Sequence, residues 1–394
     1  MPNPIKKTEQ QPESYSPKKK PEILNLMEES AGKIAMEKTY ERKTANGGSY
    51  IDGIPLLRWG EWRDSSYCGC ETALLNAAGF DVSYEEVMGL SGVCWQTIMR
   101  ADWDPSSQMP QNGRLCEQNV GNALGIAVYT LRDEKKIRKQ AKKSLDAGIP
   151  VLLVEGRWAP EWNIACGYAL ENGAENFFGR TYFDCQHTEN PQNTIEHQVT
   201  QLAADEIHTE NGYVLLNKFP GCAPQALTRF YDKSCKPIPR KDALRVSLET
   251  CLAMFELPRG EHHAFGGDAY DILIEGLSQE DEAYRAQCGN DQYHIGSLMD
   301  ARRAAYVYLE SSADLLQGNP KALLEQAAEL YRTMFDKLAD AIPYEKTSGV
   351  FDRTSAAVWD TAQREKLTNA LKENKTREKE VRSVIAALLA EWRK

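Results

Sequence analysis

The chain has 394 residues, of which 42% are hydrophobic and 26% are charged, an ordinary globular composition. Its net charge of −10 and the absence of any apolar run near the roughly 18 residues of a membrane span lead us to expect neither nucleic acid nor a membrane as a partner. A chain of this length exceeds what one hydrophobic core usually organises, so two domains are expected.

The first 45 residues are rich in charged and polar side chains and predict a disordered, charged N-terminal extension, in which 23–45 could form a short helix. Helices are then predicted over 70–78, from a capping box at Ser83, over 119–124 and over 133–147. Strands are predicted over 125–130, 149–154, 163–170, 177–184 and 213–217. A helix-rich start followed by mainly antiparallel strands is typical of an α+β domain, here spanning 46–235.

A connector containing two prolines ends the α+β region at 233–239. Beyond it the hydrophobic pattern is helical almost throughout. The predicted helices cover 241–257, 265–277, 294–316, 319–341, 354–373 and 375–393. Helices joined by short breaks favour an all-helical bundle domain over 236–394.

Cys68 lies at or just before the N-terminus of the first predicted helix. A thiol at that place is exposed to the positive end of the helix dipole and to free N–H groups, which favour the thiolate and lower its pKa. The same N–H groups can bind a developing oxyanion. Cys68 is therefore a candidate nucleophile, and its alternative is the role of a small buried hydrophobic residue.

Three segments, 66–92, 146–184 and 294–313, resemble the butirosin biosynthesis protein H-like family, whose members are related to the papain-like peptidases that process bacteriocin leaders. Characterised relatives include an acyltransferase that moves an acyl group from a carrier protein onto an antibiotic amine, and others are peptidases. The resemblance implies a papain-like fold of helices plus an antiparallel sheet, with Cys68 as nucleophile. It also implies a bacterial protein of antibiotic biosynthesis.

The sequence departs from the peptidases of this group at the catalytic base. In those peptidases a His begins the strand that leads to a Gly-Tyr pair, whereas here Trp162 or Asn163 stands at that place. Asp184 follows on the next predicted strand as the candidate third member of the catalytic group. Without an imidazole base, the thiol must already be ionised or the substrate must be activated, and a thioester meets the second condition better than a peptide bond.

We therefore expect cysteine-dependent acyl transfer or amide formation, with Cys68, Asp184 and Asn163 as catalytic residues and a small-molecule or acyl-carrier-bound substrate. Two alternatives stay open at this point. One is a catalytically inactive papain-like protein that binds a small molecule or peptide. The other is a peptidase or amidase with a relocated base, for which His187 and His294 are the candidates.

Several aromatic and charged side chains near Cys68 or after the first helices are predicted to line the substrate cleft: Trp62, Arg63, Asp64, Trp95, Trp103, Trp162 and His294. Core packing is the alternative for the tryptophans. The sequence contains ten cysteines and no recognisable secretion signal, so we expect free thiols and a cytoplasmic location. The spacing of Cys68 and Cys70 does not match common zinc sites, and we expect neither a metal nor another cofactor.

Overall fold

The computed structural model describes residues 40–45, 47–57, 59, 61–104, 113–157, 161–171, 174–182, 207–208, 213–221, 228–233, 235–257, 260, 262–347 and 358–392. The strands in this part of the chain are β1 (Arg42–Ala45), β2 (Gly48–Ile51), β3 (Ile98–Arg100), β4 (Ala127–Leu131), β5 (Val151–Val154), β6 (Trp162–Glu171), β7 (Ala174–Thr181), β8 (Ile207–His208), β9 (Tyr213–Leu215), β10 (Thr228–Asp232) and β11 (His263–Phe265).

One antiparallel sheet organises the first half of the chain. Its strand order is β4-β10-β5-β6-β7-β9-β8, and β2 adds to β6 and carries β1. The pairing of β5 with β6 sets Leu153 opposite Asn163, so the start of β6 lies beside the end of β5. A separate two-stranded sheet joins β3 to β11 and thereby connects the two halves of the sequence.

The helices surround this sheet and then form the second half of the chain. They are α1 (Ser66–Ala77), α2 (Tyr84–Ser91), α3 (Gly113–Leu124), α4 (Glu134–Asp146), α5 (Arg240–Phe255), α6 (Gly266–Leu277), α7 (Asp281–Ser312), α8 (Gly318–Ala341) and α9 (Thr361–Trp392). Among the described residues, none of these helices is both long and apolar enough to cross a membrane.

Side-chain caps fix where the early helices begin. The Ser65 hydroxyl accepts a hydrogen bond from the Cys68 N–H at the start of α1, and Ser83 does the same for the Glu86 N–H at the start of α2. The carboxylate of Asp133 accepts from the Lys136 N–H and begins α4. Each cap satisfies a backbone donor that has no acceptor within its helix.

A single core continues from the sheet into the C-terminal helices. It contains Leu74 and Ile164 of the first half together with Leu248, Leu324 and Ile385 of the helical half. A second core combines aromatic and aliphatic residues of both halves, among them Met99, Trp103, Tyr270, Leu338 and Leu371. In agreement with these shared cores, Tyr40–Lys394 group as one compact unit.

Two glycines admit aromatic rings across the boundary between the halves. Gly89 of α2 lies against the Tyr308 ring of α7, and Gly276 of α6 lies against the Trp103 indole. A Cβ atom at either glycine would overlap the ring. These two contacts therefore set how closely the elements approach one another.

The predicted α+β class, with a helical region after it, is confirmed, whereas several boundaries differ. The helix expected to begin at His294 begins at Asp281, and the two helices expected over 354–373 and 375–393 are the single helix α9. The N-terminal extension is predicted to run to residue 45, but strand β1 at Arg42–Ala45 pairs with β2. The ordered sheet therefore begins before the predicted end of the extension. Residues 1–39 lie outside the described residues, so the rest of that extension stays a prediction.

Candidate functional site

Cys68 is the third residue of α1, in the helical turn where the sequence placed it. Its side chain nevertheless faces the protein interior, with an exposed fraction of 0%. The Sγ atom lies 3.7 Å from the Ser91 Oγ of α2, and that hydroxyl also donates to the Met88 carbonyl at 3.2 Å. The thiol is thus enclosed between α1 and α2.

Burial raises the pKa of the Cys68 thiol well above its usual value. The hydrogen bonds from Ser65 and Ser91 lower the pKa, and the nearby Glu71 carboxylate raises it, but the loss of solvent is the largest effect. The predicted lowering of this pKa by the helix N-terminus is therefore wrong. Since the thiolate is disfavoured, the resting side chain is a neutral thiol.

Asn163 occupies the second residue of β6 and is almost fully buried. Its Oδ1 accepts a hydrogen bond from the Gly156 N–H at 2.8 Å, so the side chain fixes the connection between β5 and β6. Trp162 lies before it, with the Arg229 guanidinium 4.2 Å from its ring centre and the Tyr67 ring at 5.2 Å. Both side chains are packed against neighbouring residues at the position for which the resemblance implies a catalytic base.

Asp184 and His187 lie outside the described residues, and their predicted roles stay predictions.

Asp64 is buried immediately before α1 and forms a polar network with α7 and the 3₁₀ helix at 344–346. Its Oδ2 accepts from the Tyr344 hydroxyl at 2.9 Å, and its N–H donates to Asp300 Oδ2 at 3.1 Å. The same Asp300 oxygen accepts from the Tyr84 hydroxyl at 2.7 Å. Burial, followed by the charge of Asp64, raises the pKa of Asp300 to about 7.

Trp62 and Arg63, also predicted to line the cleft, have different surroundings. The Trp62 ring stacks on Tyr344 with centres 3.5 Å apart, and the Arg303 guanidinium lies 5.7 Å from it. Trp62 has a positive φ of 57°, which a non-glycine residue adopts only under local constraint. Arg63 is exposed to solvent.

Three other predicted site residues are core residues. Trp95 donates from its indole Nε1 to Ser247 Oγ at 3.2 Å, and Trp103 packs edge-on against the His294 ring. His294 is 1% exposed, and burial lowers its pKa to about 4, so the imidazole is neutral near neutral pH. These contacts support the core-packing alternative for Trp95 and Trp103.

A pair that the sequence reasoning missed lies at the start of α1. Ser66, the first residue of the helix, lies near Glu161, the residue just before β6, closely enough to affect the pKa of that carboxyl. Burial raises the pKa of Glu161 to about 7, and the nearby Ser66 hydroxyl reduces this rise. Both residues are only partly buried, in contrast to Cys68.

The immediate surroundings of this pair are polar and acidic. Tyr293 of α7 is close enough to Glu161 and Asp64 that, after burial, their charges raise the pKa of its hydroxyl. The N–H groups of Ser66 and Tyr67 begin α1 and have no acceptor within the helix, so they can stabilise a negatively charged oxygen. The sequence signal was present in the Ser-Ser pair ahead of the first helix and in the Glu beside Trp162, but nothing in the spacing joins them.

In the part of the chain that the structure describes, no group of three or more His, Cys, Asp or Glu side chains is arranged to hold a metal ion. The candidate site consists of Ser66 and Glu161, which are partly exposed, the N-terminus of α1, and the buried carboxyls of Asp64 and Asp300. No protein-family model matches the sequence, and no curated protein matches it.

Proposed function

We propose that the protein is an acyltransferase of specialised metabolism, which takes an acyl group from an activated donor such as a thioester and passes it to an amine. The observation that carries the proposal is the junction between α1 and β6. There α1 begins with N–H groups that have no acceptor within the helix, and its first residue, Ser66, lies near Glu161, a carboxyl whose pKa is raised to about 7. Backbone N–H groups that can bind an oxyanion and a carboxyl that ionises near neutral pH are two of the groups that acyl transfer uses.

The resemblance to papain-like proteins also points to the start of α1 and the start of β6 as the site of the reaction. Those enzymes place the nucleophile at the start of a helix and the base at the start of the strand that leads to Gly-Tyr. In this chain α1 carries Ser66 and Cys68 in its first turn, and Glu161 directly precedes β6. A papain-like fold is part of the proposal for this reason.

If Cys68 is the nucleophile of this reaction, the start of α1 must open to admit the acyl donor. Cys68 is a neutral thiol with an exposed fraction of 0%, so an acyl donor would reach it only after the contact with Ser91 opens. Acylation of a neutral thiol also requires an activated donor, which is why a thioester and not a peptide is the proposed substrate.

A second candidate function is binding without catalysis, of a small molecule or a peptide. The observation that favours it is the structural use of both papain-type positions, since Cys68 is enclosed by α2 and Asn163 is bonded to the Gly156 N–H. Under this alternative, ligands change the melting temperature of the protein but are recovered chemically unchanged.

Turnover of model thioesters separates the two candidates. The protein is incubated with short- and medium-chain acyl thioesters, with and without primary amines, while free-thiol release and amide products are measured by mass spectrometry. Acyl transfer predicts amide products and a release rate that increases as the pH rises through about 7, because the Glu161 carboxyl then ionises. Thioester binding with neither thiol release nor amide product, across donors and amines, would contradict the acyltransferase proposal.

A further inference from the structure

The lead-in segment, residues 62–65, directly precedes α1 and is held in place by side chains from two other helices. The Asp64 N–H donates to Asp300 Oδ2 of α7 at 3.1 Å, and the Ser65 N–H donates to the Tyr84 hydroxyl of α2 at 3.0 Å. These bonds satisfy backbone donors that have no partner in a regular element. The position of the lead-in segment therefore depends on contacts from both halves of the chain.

A single carboxyl oxygen connects these bonds into one network. Asp300 Oδ2 also accepts from the Tyr84 hydroxyl at 2.7 Å, so the same oxygen contacts the lead-in segment and α2. Asp64, Tyr84 and Asp300 are each buried. Together with Ser65 they form the Asp300 network. Ser65 links this network to α1, because its hydroxyl accepts from the Cys68 N–H at 3.3 Å.

The Asp300 network lies at one end of the contact that encloses Cys68. Tyr84 is the first residue of α2 and Ser91 is the last. The Tyr84 hydroxyl holds the start of α1 through Ser65, whereas the Ser91 hydroxyl lies 3.7 Å from Cys68 Sγ. Helices α1 and α2 are thus joined at both ends of α2. A reagent can reach the fully buried Cys68 only when this contact opens.

Charge determines how firmly the Asp300 network is closed. The titratable and charged groups around the Asp300 carboxyl are Asp64 before α1, Tyr84 of α2, Arg303 of α7, Tyr182 after β7 and, through its bond to Asp64, Tyr344. Arg303 pairs with Glu85 at 2.7 Å, so its charge is shared with that carboxylate. Among the described residues, Asp300 Oδ1 is buried and has no hydrogen-bond partner. An ionised Asp300 therefore favours an open state, in which water solvates this oxygen and weakens the repulsion by Asp64.

We propose that the Asp300 network is a pH-sensitive closure over Cys68. While Asp300 is protonated, the network holds the start of α1 against α2, and ionisation of Asp300 releases the start of α1 and admits an acyl donor. The inference rests on the proposed acyl transfer in its cysteine-dependent form, and it adds the regulation of that site.

The ionisation of Asp300 gives the closure a defined pH dependence. Burial, followed by the charge of Asp64, raises the pKa of Asp300 to about 7 in the closed protein, whereas a hydrated carboxyl titrates near 3.8. Between these values the closed state retains a proton that the open state has lost. Opening therefore becomes up to about tenfold more favourable per pH unit from about 4 to about 7, and it levels off above that range.

Alkylation of the folded, full-length protein with N-ethylmaleimide measures opening at Cys68 without any substrate. Peptide mass spectrometry after timed quenching gives the rate at each cysteine between pH 5.5 and pH 8. The exposed Cys235 reports how the reactivity of an accessible thiol changes with pH, and the buried Cys251 of α5 reports global unfolding. We expect the ratio of the Cys68 rate to the Cys235 rate to increase at least about tenfold over this range. At pH 8 Cys68 should also react at least about tenfold faster than Cys251.

Two variants separate the charge of Asp300 from the hydrogen bonds of the network. Asp300→Asn keeps an oxygen acceptor but cannot ionise, so the Cys68-to-Cys235 ratio should change by less than about twofold between pH 5.5 and pH 8. Tyr84→Phe removes the acceptor of the Ser65 N–H and should raise the ratio at pH 5.5 at least about fivefold. Tyr213→Phe is the matched control and should leave the ratio unchanged. Its buried hydroxyl also accepts from a backbone N–H, that of Ile54, but lies outside the Asp300 network.

The wild-type pH profile tests the closure even if a variant folds poorly. A ratio that stays constant with pH, a rise that persists in Asp300→Asn, equal rates for Cys68 and Cys251, or equal ratios for Tyr84→Phe and Tyr213→Phe would each overturn the inference. Thioester turnover is measured on the same preparation. Turnover with a Cys68 ratio independent of pH overturns the closure and leaves the acyltransferase proposal standing, whereas pH-dependent opening without turnover supports the closure and contradicts the acyltransferase proposal.

Discussion

Cys68 and Cys235 have opposite thiol environments in the described part of the chain. Cys235 is exposed in the connector before α5, whereas Cys68 is enclosed between α1 and α2. Alkylation rates depend on thiolate fraction and on access, and both are low for Cys68. Placement of Cys68 in the first helical turn is predictable from the pattern around it, but the direction of its side chain depends on the partner helix and on Ser91.

We therefore expect iodoacetamide at pH 8 to modify Cys235 in the folded protein at least tenfold faster than Cys68. The physical reason is the full burial of Cys68 and the raised pKa of its thiol. Peptide mass spectrometry after timed quenching gives the two rates, and the same experiment in denaturant supplies the control in which they become similar. Equal rates in the folded protein would show that the first turn of α1 opens readily.

The carboxyl of Asp300 gives the folded protein an unusual pH dependence. Its pKa is about 7 when folded and near 3.8 when exposed, so between those values the unfolded chain has already lost a proton that the folded chain retains. The folded state binds more protons in this window, and its stability falls as the pH rises from about 4 to about 7.

Asp300→Asn should remove most of the loss of stability between pH 4 and pH 7, because the amide does not titrate. Its oxygen can still accept from the Tyr84 hydroxyl and the Asp64 N–H, so the hydrogen bonds of the site are kept. We expect the difference in unfolding free energy between pH 5 and pH 8 to shrink by on the order of 2 kcal/mol. Urea unfolding at both pH values measures it, with the exposed Asp340→Asn as the matched control. An unchanged pH dependence in Asp300→Asn would mean that this carboxyl is already ionised at pH 5.

At the scale of elements, Asn163 shows how a residue predicted to be catalytic can be structural. Asn163→Ala leaves the buried Gly156 N–H without its acceptor, so we expect a loss of about 1–3 kcal/mol in unfolding free energy. Asn217→Ala, at an exposed turn residue, serves as the control and should change stability by no more than about 0.5 kcal/mol. Thermal or urea unfolding that finds the two variants equal would contradict the role of Asn163 in fixing β5 to β6.

The helical half contains a buried ion pair between Arg302 of α7 and Glu378 of α9. The Arg302 guanidinium also donates to the Cys94 carbonyl at 3.1 Å and to the Thr97 hydroxyl, so the pair connects both helices to the segment before β3. Removal of one partner leaves the other charge buried and unpaired.

Glu378→Ala should accordingly lower the unfolding free energy by about 3–5 kcal/mol. Lys375→Ala is a suitable comparison, because Lys375 lies on the same helix and pairs with Asp271 at the surface, where a loss of at most about 1 kcal/mol is expected. Denaturant unfolding of both variants supplies the measurement. If the two losses were similar, the buried pair would not be the connection described here.

Hydrophobic periodicity predicts the position of most helices, and it fails where polar residues occupy buried positions. Asp291 and Gln292 are buried in α7, which interrupts the apolar pattern and places the predicted start of that helix at His294. Asn374 is buried in α9 and donates to the Met334 carbonyl at 2.9 Å, and the sequence reads this residue as a break between two helices. The burial of such polar residues depends on tertiary packing and, for Asn374, on a hydrogen bond between helices, which a period of 3.6 residues does not encode. The pair of Ser66 and Glu161 was missed for a related reason, since only the folded hairpin brings 161 to 66.

At the scale of the whole molecule, the shared cores predict one cooperative unit. The first core joins Leu74 of α1 and Ile164 of β6 to Leu324 and Ile385 of the C-terminal helices. Neither half can bury these side chains alone, so the sheet and the helices should unfold together. The division at residue 235 is a change of pattern in the sequence, and its use as a domain boundary stays a prediction.

We expect helical circular dichroism and tryptophan fluorescence to report the same midpoint within error during guanidinium unfolding. A chain truncated after residue 235 should expose apolar surface and bind a hydrophobic dye, because its core partners are missing. Two separated transitions for the full-length protein, or a truncated chain that gives sharp near-ultraviolet dichroism, would instead favour independent domains.

The contacts of Gly89 with Tyr308 and of Gly276 with Trp103 constrain how such a protein can diverge. Each glycine lies in one half of the chain and its aromatic partner lies in the other. If the helical half were exchanged for that of a distant relative, an aromatic ring of one half could face a residue larger than glycine in the other half. We therefore expect a chimera joined at the connector to fold only if both glycine–aromatic pairs are kept together.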